Sequence, residues 1–447
     1  MKAMIVSLES FQKGIIPEEV KEYLSGLKEE PFIILDESSK IKTNEPCKEE
    51  KKSKRTQAVL SLNKTGERCI LTGTFMSKSP VNAYDQMNFL QKGFFSESMF
   101  AFAEHYVIRR TLQGMRGARV TLPKKDWDKI RARLVRYKND PIRLQGVIDG
   151  VYSFYGISRD DCQWILEHDE YTPFKNIDEL WERIGDKCLK VERETVMDLP
   201  PKLYKTYNVE LTAEQRKLYL QLQNEHCTDR VVVDNGLKLY LRFQDVCNGY
   251  EPVDGETYYD KEGKEHTHVD LVPLKVNPKL EILEEILDEI GNAQAIIWCN
   301  RTQLLYDACS RCKELGYTTG VFDGKVSKED RERDYKAFIN KEVQLIFVNQ
   351  GSGAYGLDGL KEAKYAIYLS NDYSVEKRAQ SEDRCYRGAV KESKYIIDIT
   401  CKGTCEDRVT EALKLGQELL DTGTASADLF ILQEGFSHMG ELKQEAE

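Results

Sequence analysis

The chain has 447 residues, 40% of them hydrophobic, which is enough apolar content to build sizeable cores in two or three domains. No run of about 18 apolar residues occurs, so no transmembrane helix is predicted, and Met1–Val6 is too short for a signal-peptide core. We therefore expect a cytoplasmic protein. The formal charge of −10 argues against a surface coated with nucleic acid but allows a local basic groove.

The N-terminal part is predicted to contain buried strands that end in polar residues. Apolar runs predict strands at Met4–Leu8, Phe32–Leu35 and Cys69–Leu71. The second strand continues into Asp36 and Glu37, and the third continues into Thr72, Gly73 and Thr74. Ligands gather at the carboxyl ends of strands in open α/β sheets, so both polar stretches are candidate site segments. Residues 40–55 between them are charged and predict a solvated loop.

Residues 109–138 form a basic segment in this acidic chain, with eleven Lys or Arg against two Asp. Trp127, Ile130, Leu134 and Tyr137 recur there at helical spacing, which predicts an amphipathic helix with a basic face. Two interpretations carry equal weight: a solvated charged face, or a surface that contacts a phosphate backbone. Farther along, residues 176–184 predict a helix.

The C-terminal third alternates apolar strands with amphipathic helices, which predicts a parallel sheet covered on both faces. Strands are predicted at residues 295–299, 318–322, 343–349, 365–369 and 394–399, and helices at residues 278–290 and 302–315, from Ser327 onward and around residues 380–387. The only CxxC pair, Cys309 and Cys312, lies in a predicted helix. It favours packing over metal binding or redox chemistry.

Two sets of polar residues suit nucleotide chemistry. Gln380, Arg384 and Arg387 are spaced four and three residues apart, so on a helix they share one face. Each guanidinium offers a planar fork of donors to phosphate oxygens. Asp36 and Glu37 supply one carboxylate for Mg²⁺ and a neighbour that can polarise an attacking water.

These segments, in this order, resemble the Swi/Snf-type branch of the superfamily-two DNA helicases and translocases, especially its compact bacteriophage versions. The segments that carry the resemblance are residues 32–42, 71–74, 174–180, 199–202, 211–216, 241–248, 296–300, 348–357 and 380–388. The resemblance implies an ATP hydrolase acting on double-stranded DNA, with ATP and Mg²⁺ bound between two lobes.

The resemblance also implies a role for each matching residue. Asp36 would hold Mg²⁺ and Glu37 would activate water, while Arg384 and Arg387 would act as arginine fingers aligned by Gln380. Gly353 and Gly356 would let the backbone approach the nucleotide or DNA, although an ordinary loop is the alternative for them. The residues expected to contact DNA are Thr72, Gly73, Thr74, Asn300, Arg301, Asn349 and Gln350.

The implied fold class is α/β, with two RecA-like parallel-sheet lobes, the first incomplete at its N-terminus, and a mainly helical insertion between them. The predicted boundaries are residues 1–105 for the partial first lobe, 106–172 for the basic helical insertion, 173–215 for the end of the first lobe, 216–276 for a helical linker or protrusion, 277–415 for the second lobe and 416–447 for a tail.

The chain departs from the family pattern most clearly in its phosphate-binding elements. No GxxxxGK[ST] loop occurs in the sequence, and Ala354, Tyr355 and Asp358 interrupt the expected fifth motif. We therefore expect poor ATP hydrolysis by this polypeptide alone. We also expect either a complementing polypeptide that carries the missing strand and loop, or an incomplete gene product. The alternatives are a non-catalytic DNA-binding or scaffold remnant and an unrelated α/β ligand-binding protein.

Overall fold

The structure is a computed structural model in which the chain forms two compact units, one within residues 1–189 and the other within residues 190–417. The described residues are 3–43, 46–73, 75–76, 79–111, 119–122, 124–169, 171–189, 191, 200–233, 236–259, 265–353, 359–372, 374–386 and 392–422. No helix in these ranges is both long and apolar enough to cross a bilayer.

Unit 1 begins with a small parallel sheet. Its two strands are β1 (Phe32–Asp36) and β2 (Glu67–Leu71). The helices around them are α1 (Glu18–Ser25), α2 (Lys54–Leu60), α3 (Val81–Leu90) and α4 (Met99–Tyr106). One face of the sheet, with Ile33, Leu35 and Ile70, packs into a core that includes Ile41, Val59 and Phe89.

The opposite face of this sheet is uncovered. Phe32 and Ile34 are 64% and 57% exposed, and Leu71, at the end of the paired strand, is also exposed. In α/β proteins the strands of a parallel sheet are usually buried on both faces. Unit 1 therefore presents an apolar sheet face of a kind that is ordinarily packed.

The predicted strand at Met4–Leu8 is wrong. Residues 3–7 form no regular structure, and a 3₁₀ helix follows at Leu8–Lys13, where Ser7 caps the helix by accepting the Glu9 N–H. Ile5 is almost fully exposed, so the apolar run that favoured a buried strand has no core to join. A capping serine outweighs a short apolar run here.

The insertion in unit 1 is helical, as predicted, and has its own core. A hairpin of β3 (Arg109–Thr111) and β4 (Arg119–Thr121) precedes α5 (Lys124–Arg136), α6 (Pro141–Tyr155) and α7 (Arg159–Glu167). Trp127, Ile130 and Leu134 of α5 are buried in this core, which confirms the predicted amphipathic helix. The predicted helix at residues 176–184 is confirmed as α8 (Ile177–Gly185).

Unit 2 is built on a six-stranded parallel sheet, which confirms the predicted α/β class. Its strands are β5 (Lys202–Val209), β8 (Ala295–Cys299), β9 (Thr319–Phe322), β10 (Leu345–Asn349), β11 (Tyr365–Tyr368) and β12 (Lys394–Cys401). The strand order is β5-β12-β11-β8-β10-β9. The chain passes to one side of β8 to form β9 and β10 and then crosses to the other side, so a topological switch point lies at β8.

The helices of unit 2 cover the sheet or connect its strands. They are α9 (Ala213–Glu225), α10 (Gly236–Cys247), α11 (Pro278–Ile290), α12 (Thr302–Glu314), α13 (Lys328–Ile339), α14 (Gln350–Gly353), α15 (Val375–Cys385) and α16 (Cys405–Thr422), which begins in unit 2 and ends beyond residue 417. Cys309 and Cys312 are buried in α12, as the packing interpretation predicts.

Two features of unit 2 differ from the predicted boundaries. The predicted end of the first lobe at residues 173–215 includes β5, which instead pairs with β12 along its whole length in the unit 2 sheet. The stretch 216–276, predicted as helical, contains a long antiparallel hairpin of β6 (Tyr250–Tyr259) and β7 (Glu265–Pro273).

Candidate functional site

Asp36 and Glu37 stand where the sequence predicts, at the carboxyl end of β1. Asp36 is exposed, and its Oδ1 accepts the Glu37 N–H at 3.0 Å. Glu37 adopts a left-handed backbone with φ of 53°. That conformation costs a non-glycine residue about 1–2 kcal/mol, and such strain clusters at functional sites. The strained turn displays two adjacent carboxylates at the edge of the sheet.

The two predicted site segments of unit 1 are joined through Gln86 of α3. Gln86 is fully buried, and its Oε1 accepts the Ser38 hydroxyl at 2.7 Å while its Nε2 donates to the Phe75 carbonyl at 2.7 Å. Ser38 follows Glu37 directly. A single amide therefore fixes the spacing between the carboxylate turn and the segment after β2.

A buried ion pair anchors the charged stretch that follows the carboxylate turn. Lys52 Nζ donates to Asp85 Oδ1 of α3 at 2.6 Å and to Glu49 Oε1 at 2.6 Å, and the Thr43 hydroxyl donates to Asp85. Burial by itself would lower the pKa of Lys52, but the charge and hydrogen bond of Asp85 outweigh it and raise that pKa. The predicted solvated loop at residues 40–55 is thus wrong at Lys52.

In unit 2, polar residues meet at the carboxyl ends of β8, β10 and β11, beside the switch point. Their centre is Asn371, whose carbonyl accepts Asn300 Nδ2 at 2.8 Å and Gln244 Nε2 at 3.0 Å. Its side-chain Oδ1 accepts Arg378 Nη1 at 2.9 Å and Gln350 Nε2 at 3.4 Å. One asparagine thus joins the ends of three strands to α15.

The residues predicted to contact DNA have different surroundings. Asn300 is half-buried, and its Oδ1 is buried without a hydrogen-bond donor among the described residues. Arg301 is held by Asp245 Oδ1 and the Leu241 carbonyl, both at 2.9 Å. Gln350 is only 2% exposed, and its Oε1 accepts the Asp372 N–H at 3.0 Å.

The remaining predicted DNA-contact and glycine positions are only partly described. Thr72 is half-buried, Gly73 is exposed and Asn349 is half-buried. Gly353 closes the short helix α14. The predictions at Thr74, Gly356 and Arg387 lie outside the described residues, so the structure provides no geometry for them.

Two of the three residues of the predicted arginine face, Gln380 and Arg384, lie on α15, which ends at Cys385. Gln380 and Arg384 are one helical turn apart, and both are half-buried. Gln380 Oε1 is buried and has no donor among the described residues. Such an orphaned acceptor carries a desolvation cost that a bound donor would relieve.

Another face of α15 contains an arginine that the sequence interpretation missed. Arg378 is buried, and its guanidinium makes two bonds to Asp398, at 2.6 and 2.8 Å, and lies 3.5 Å from the centre of the Tyr368 ring. It also donates to Glu382 at 2.7 Å. Burial alone would raise the pKa of Glu382, but the charges of Arg378 and Lys202 outweigh it and lower that pKa. The signal was present in the sequence, since residues 378, 382 and 385 also share a helical face.

The geometry of the carboxylate turn fits the donor set that Mg²⁺ prefers. An exposed carboxylate at a strand end supplies hard oxygen ligands while leaving room for water and phosphate oxygens. In unit 2, the described residues place guanidinium and amide groups at the carboxyl edge of the sheet. Carboxylates in unit 1 and guanidinium groups in unit 2 are both side-chain types that nucleotide hydrolysis uses.

The chain is similar to known helicases, most clearly in unit 2. Residues 278–389 match the helicase conserved C-terminal domain. YwqA of Bacillus subtilis, whose name assigns it provisionally to the ATP-dependent helicases/translocases, is 26% identical over 272 residues, covering 58% of this chain and 28% of that protein.

Two eukaryotic relatives show similar levels of identity. The chromatin structure-remodeling complex subunit snf21 of Schizosaccharomyces pombe is 22% identical over 50% of this chain and 19% of its own length. The chromodomain-helicase-DNA-binding protein 1-like of Danio rerio is 22% identical over 56% of this chain and 25% of its own. The chain thus spans between 19% and 28% of the length of these three relatives.

Among solved structures, the C-terminal part of the Fun30 ATPase domain overlaps 55% of this chain and 99% of its own, with 15% identity and a TM-score of 0.38. YwqA and the Danio rerio protein both have the word helicase in their names, which agrees with the matched domain. Residues 278–389 therefore resemble a helicase conserved C-terminal domain, and the chain resembles its three named relatives over 50% to 58% of its length.

Proposed function

We propose that this chain is the motor part of an ATP-dependent DNA helicase or double-stranded DNA translocase of Swi/Snf type. The observation that carries the proposal is the polar cluster around Asn371 at the switch point of a helicase C-terminal domain, with Arg384 on the adjoining helix. Open parallel sheets bind ligands at this position.

The residue roles follow from the chemistry of the two sets. Asp36 would hold Mg²⁺, which neutralises charge on the phosphates when it is bound. Glu37 polarises the attacking water, and Arg384 and Arg387 donate to the phosphoryl oxygens as charge develops there. The orphaned acceptor of Gln380 suits a role in aligning these guanidinium groups.

The proposal includes a segment that supplies the phosphate-binding loop and covers the exposed face of the unit 1 sheet. It is supported by the uncovered Phe32, Ile34 and Leu71, and by the absence of a GxxxxGK[ST] motif from this sequence. Without backbone amides and a lysine around the β and γ phosphates, a site loses its main anchor for ATP. Low ATPase activity of this polypeptide alone is therefore part of the proposal, and cytoplasmic location and phage origin stay predictions.

The experiment measures phosphate release from the chain combined with a separately expressed segment that carries such a loop. We expect duplex DNA to stimulate hydrolysis by the wild-type combination. We expect Glu37→Gln to reduce turnover by about 10²-fold or more, because general-base assistance contributes typically 10²–10⁴. Glutamine keeps the length and polarity of the side chain, so the variant should fold like wild type. Thermal melting of both proteins serves as the folding control.

The second candidate function is a non-catalytic DNA-binding or scaffold protein derived from such a motor. The missing loop motif favours it. The same measurement separates the two functions. A folded combination that binds duplex DNA but releases phosphate equally in the wild type and in the Glu37→Gln variant has no catalysis at this turn.

A further inference from the structure

The exposed side of α5 carries a stripe of cations, defined here as Lys129, Arg133 and Arg136. The three residues are spaced four and three positions apart, so their side chains share one face of the helix. All three are exposed, and this face is opposite the buried Trp127 and Leu134. The stripe therefore cannot be part of the core of the insertion.

The other arginines that the structure describes in this basic segment form ion pairs with carboxylates of the protein. Arg110 pairs with Asp126 at 2.8 Å, Arg131 pairs with Asp169, and Arg109 and Arg119 both pair with Glu104. No carboxylate in the described ranges forms an ion pair with any of the three stripe residues. Among the described residues of the insertion, the arginines outside the stripe are thus paired with carboxylates, whereas the residues of the stripe are not.

The described carboxylates nearest to the stripe in sequence do not form ion pairs with it, and Asp126, one turn before Lys129 on the same face, pairs instead with Arg110. Asp128 is exposed but lies about 100° around the helix from Lys129. Asp140, beyond the end of α5, accepts the Arg143 N–H as the cap of α6. In a chain with a net charge of −10, this local cation density is unusual and points to a polyanionic partner.

We propose that the stripe on α5 binds the phosphate backbone of duplex DNA, as a contact surface separate from the sites at the strand ends. Cations on successive helical turns are about 5–6 Å apart, which allows each one to meet a different phosphate along a strand. Such contacts position the protein on the duplex without reading its sequence. The proposal rests on the proposed function for its choice of DNA as the polyanion.

The test measures equilibrium binding of the full chain to a fluorescent duplex at several salt concentrations. The variant is Lys129→Gln/Arg133→Gln/Arg136→Gln. The matched control is Lys313→Gln/Lys341→Gln/Lys361→Gln, which changes the net charge equally at exposed positions. These lysines precede β9, β10 and β11 and so lie toward the amino edge of the sheet, away from the predicted site.

We expect the control to bind like wild type and the stripe variant to bind more weakly. Each lost phosphate contact reduces the slope of log affinity against log salt by about 0.9, so three contacts reduce it by about 2.7. Between 50 and 200 mM salt the wild type should lose about 40-fold more affinity than the variant. Thermal melting checks folding, and Arg133→Gln alone, with a slope change of about 0.9, serves if the triple variant unfolds.

Three results would overturn the proposal. One is an unchanged slope in a folded stripe variant, and another is an equal loss in both triple variants. The third is stripe-dependent binding of poly-glutamate as tight as that of DNA, which would assign an acidic polypeptide as the partner. Failure of wild type to bind duplex DNA at all would reject the proposed function, whereas unchanged binding by the stripe variant rejects this surface alone.

Discussion

Arg378 and Arg384 lie on different faces of α15 and differ in burial. Arg378 is fully engaged by Asp398, Glu382 and Asn371, so its charge is used within the fold. Arg384 is half-buried on the face that carries Gln380. Sequence spacing alone identified the second face but did not indicate that the first arginine is structural.

We expect Arg378→Met to destabilise unit 2 by about 3–5 kcal/mol, because it leaves Asp398 and Glu382 buried without their cation. Arg384→Gln should cost less stability than Arg378→Met, because Arg384 is only half-buried. It should reduce DNA-stimulated ATP hydrolysis in the complemented protein by about 10³-fold or more, as expected for an arginine finger. Chemical denaturation and phosphate release measure the two effects. Equal loss of stability in both variants would contradict this division of roles.

The elements that the sequence predicts most clearly are those with a strong apolar pattern. The strands and helices of unit 2 were predictable because five-residue apolar runs such as Ala295–Cys299 are fully buried between helices. The β6–β7 hairpin was not, because its exposed residues are mostly polar or aromatic and lack a buried stripe. Asn371 and Gln86 were missed for another reason, since their partners are distant in the sequence.

The Lys52–Asp85 ion pair fixes the stretch after the carboxylate turn onto α3. We expect Lys52→Met to destabilise unit 1 by about 3–5 kcal/mol near neutral pH, since the buried Asp85 carboxylate loses its partner. Urea denaturation of the wild type and the variant measures this loss.

The variant should also depend on pH in a defined direction. Burial raises the pKa of the Asp85 carboxyl above its ordinary value, and without Lys52 it should rise further. A raised folded pKa gives stability that is present below the unfolded pKa and is lost as pH rises through the folded one. Lys52→Met should therefore lose stability as pH rises above about 4, the ordinary pKa of an aspartate in the unfolded chain. Lys52→Met/Asp85→Asn should lack this dependence, and a persisting slope would assign it to another group.

At the scale of the whole molecule, the two sheets differ in how they are covered. The central strands of unit 2 are buried on both faces, whereas β1 exposes Phe32 and Ile34. Composition could not distinguish these cases, because both kinds of strand are equally apolar in sequence. The predicted Asp36–Glu37 turn depended only on the end of the strand and so was placed correctly.

We expect Phe32→Thr/Ile34→Thr to reduce self-association and binding of an apolar dye, because it removes exposed apolar area while keeping residues with high β propensity. Stability should change little. Leu35→Ala on the buried face is the contrast, with an expected cost of about 2–5 kcal/mol. Light scattering measures self-association, and dye fluorescence measures exposed apolar surface. No decrease in either would show that this face does not mediate self-association.

Lys279 of α11 has no solvent exposure, and its Nζ donates to Asn248 Oδ1, the Leu369 carbonyl and Glu406 Oε1. All three ammonium protons are thus occupied inside unit 2. An acetyltransferase needs an accessible, deprotonated amine, and this one is neither while the unit is folded. An acetyl group found on Lys279 would consequently have been attached before the chain folded or during its unfolding, and would record that event in the mature protein.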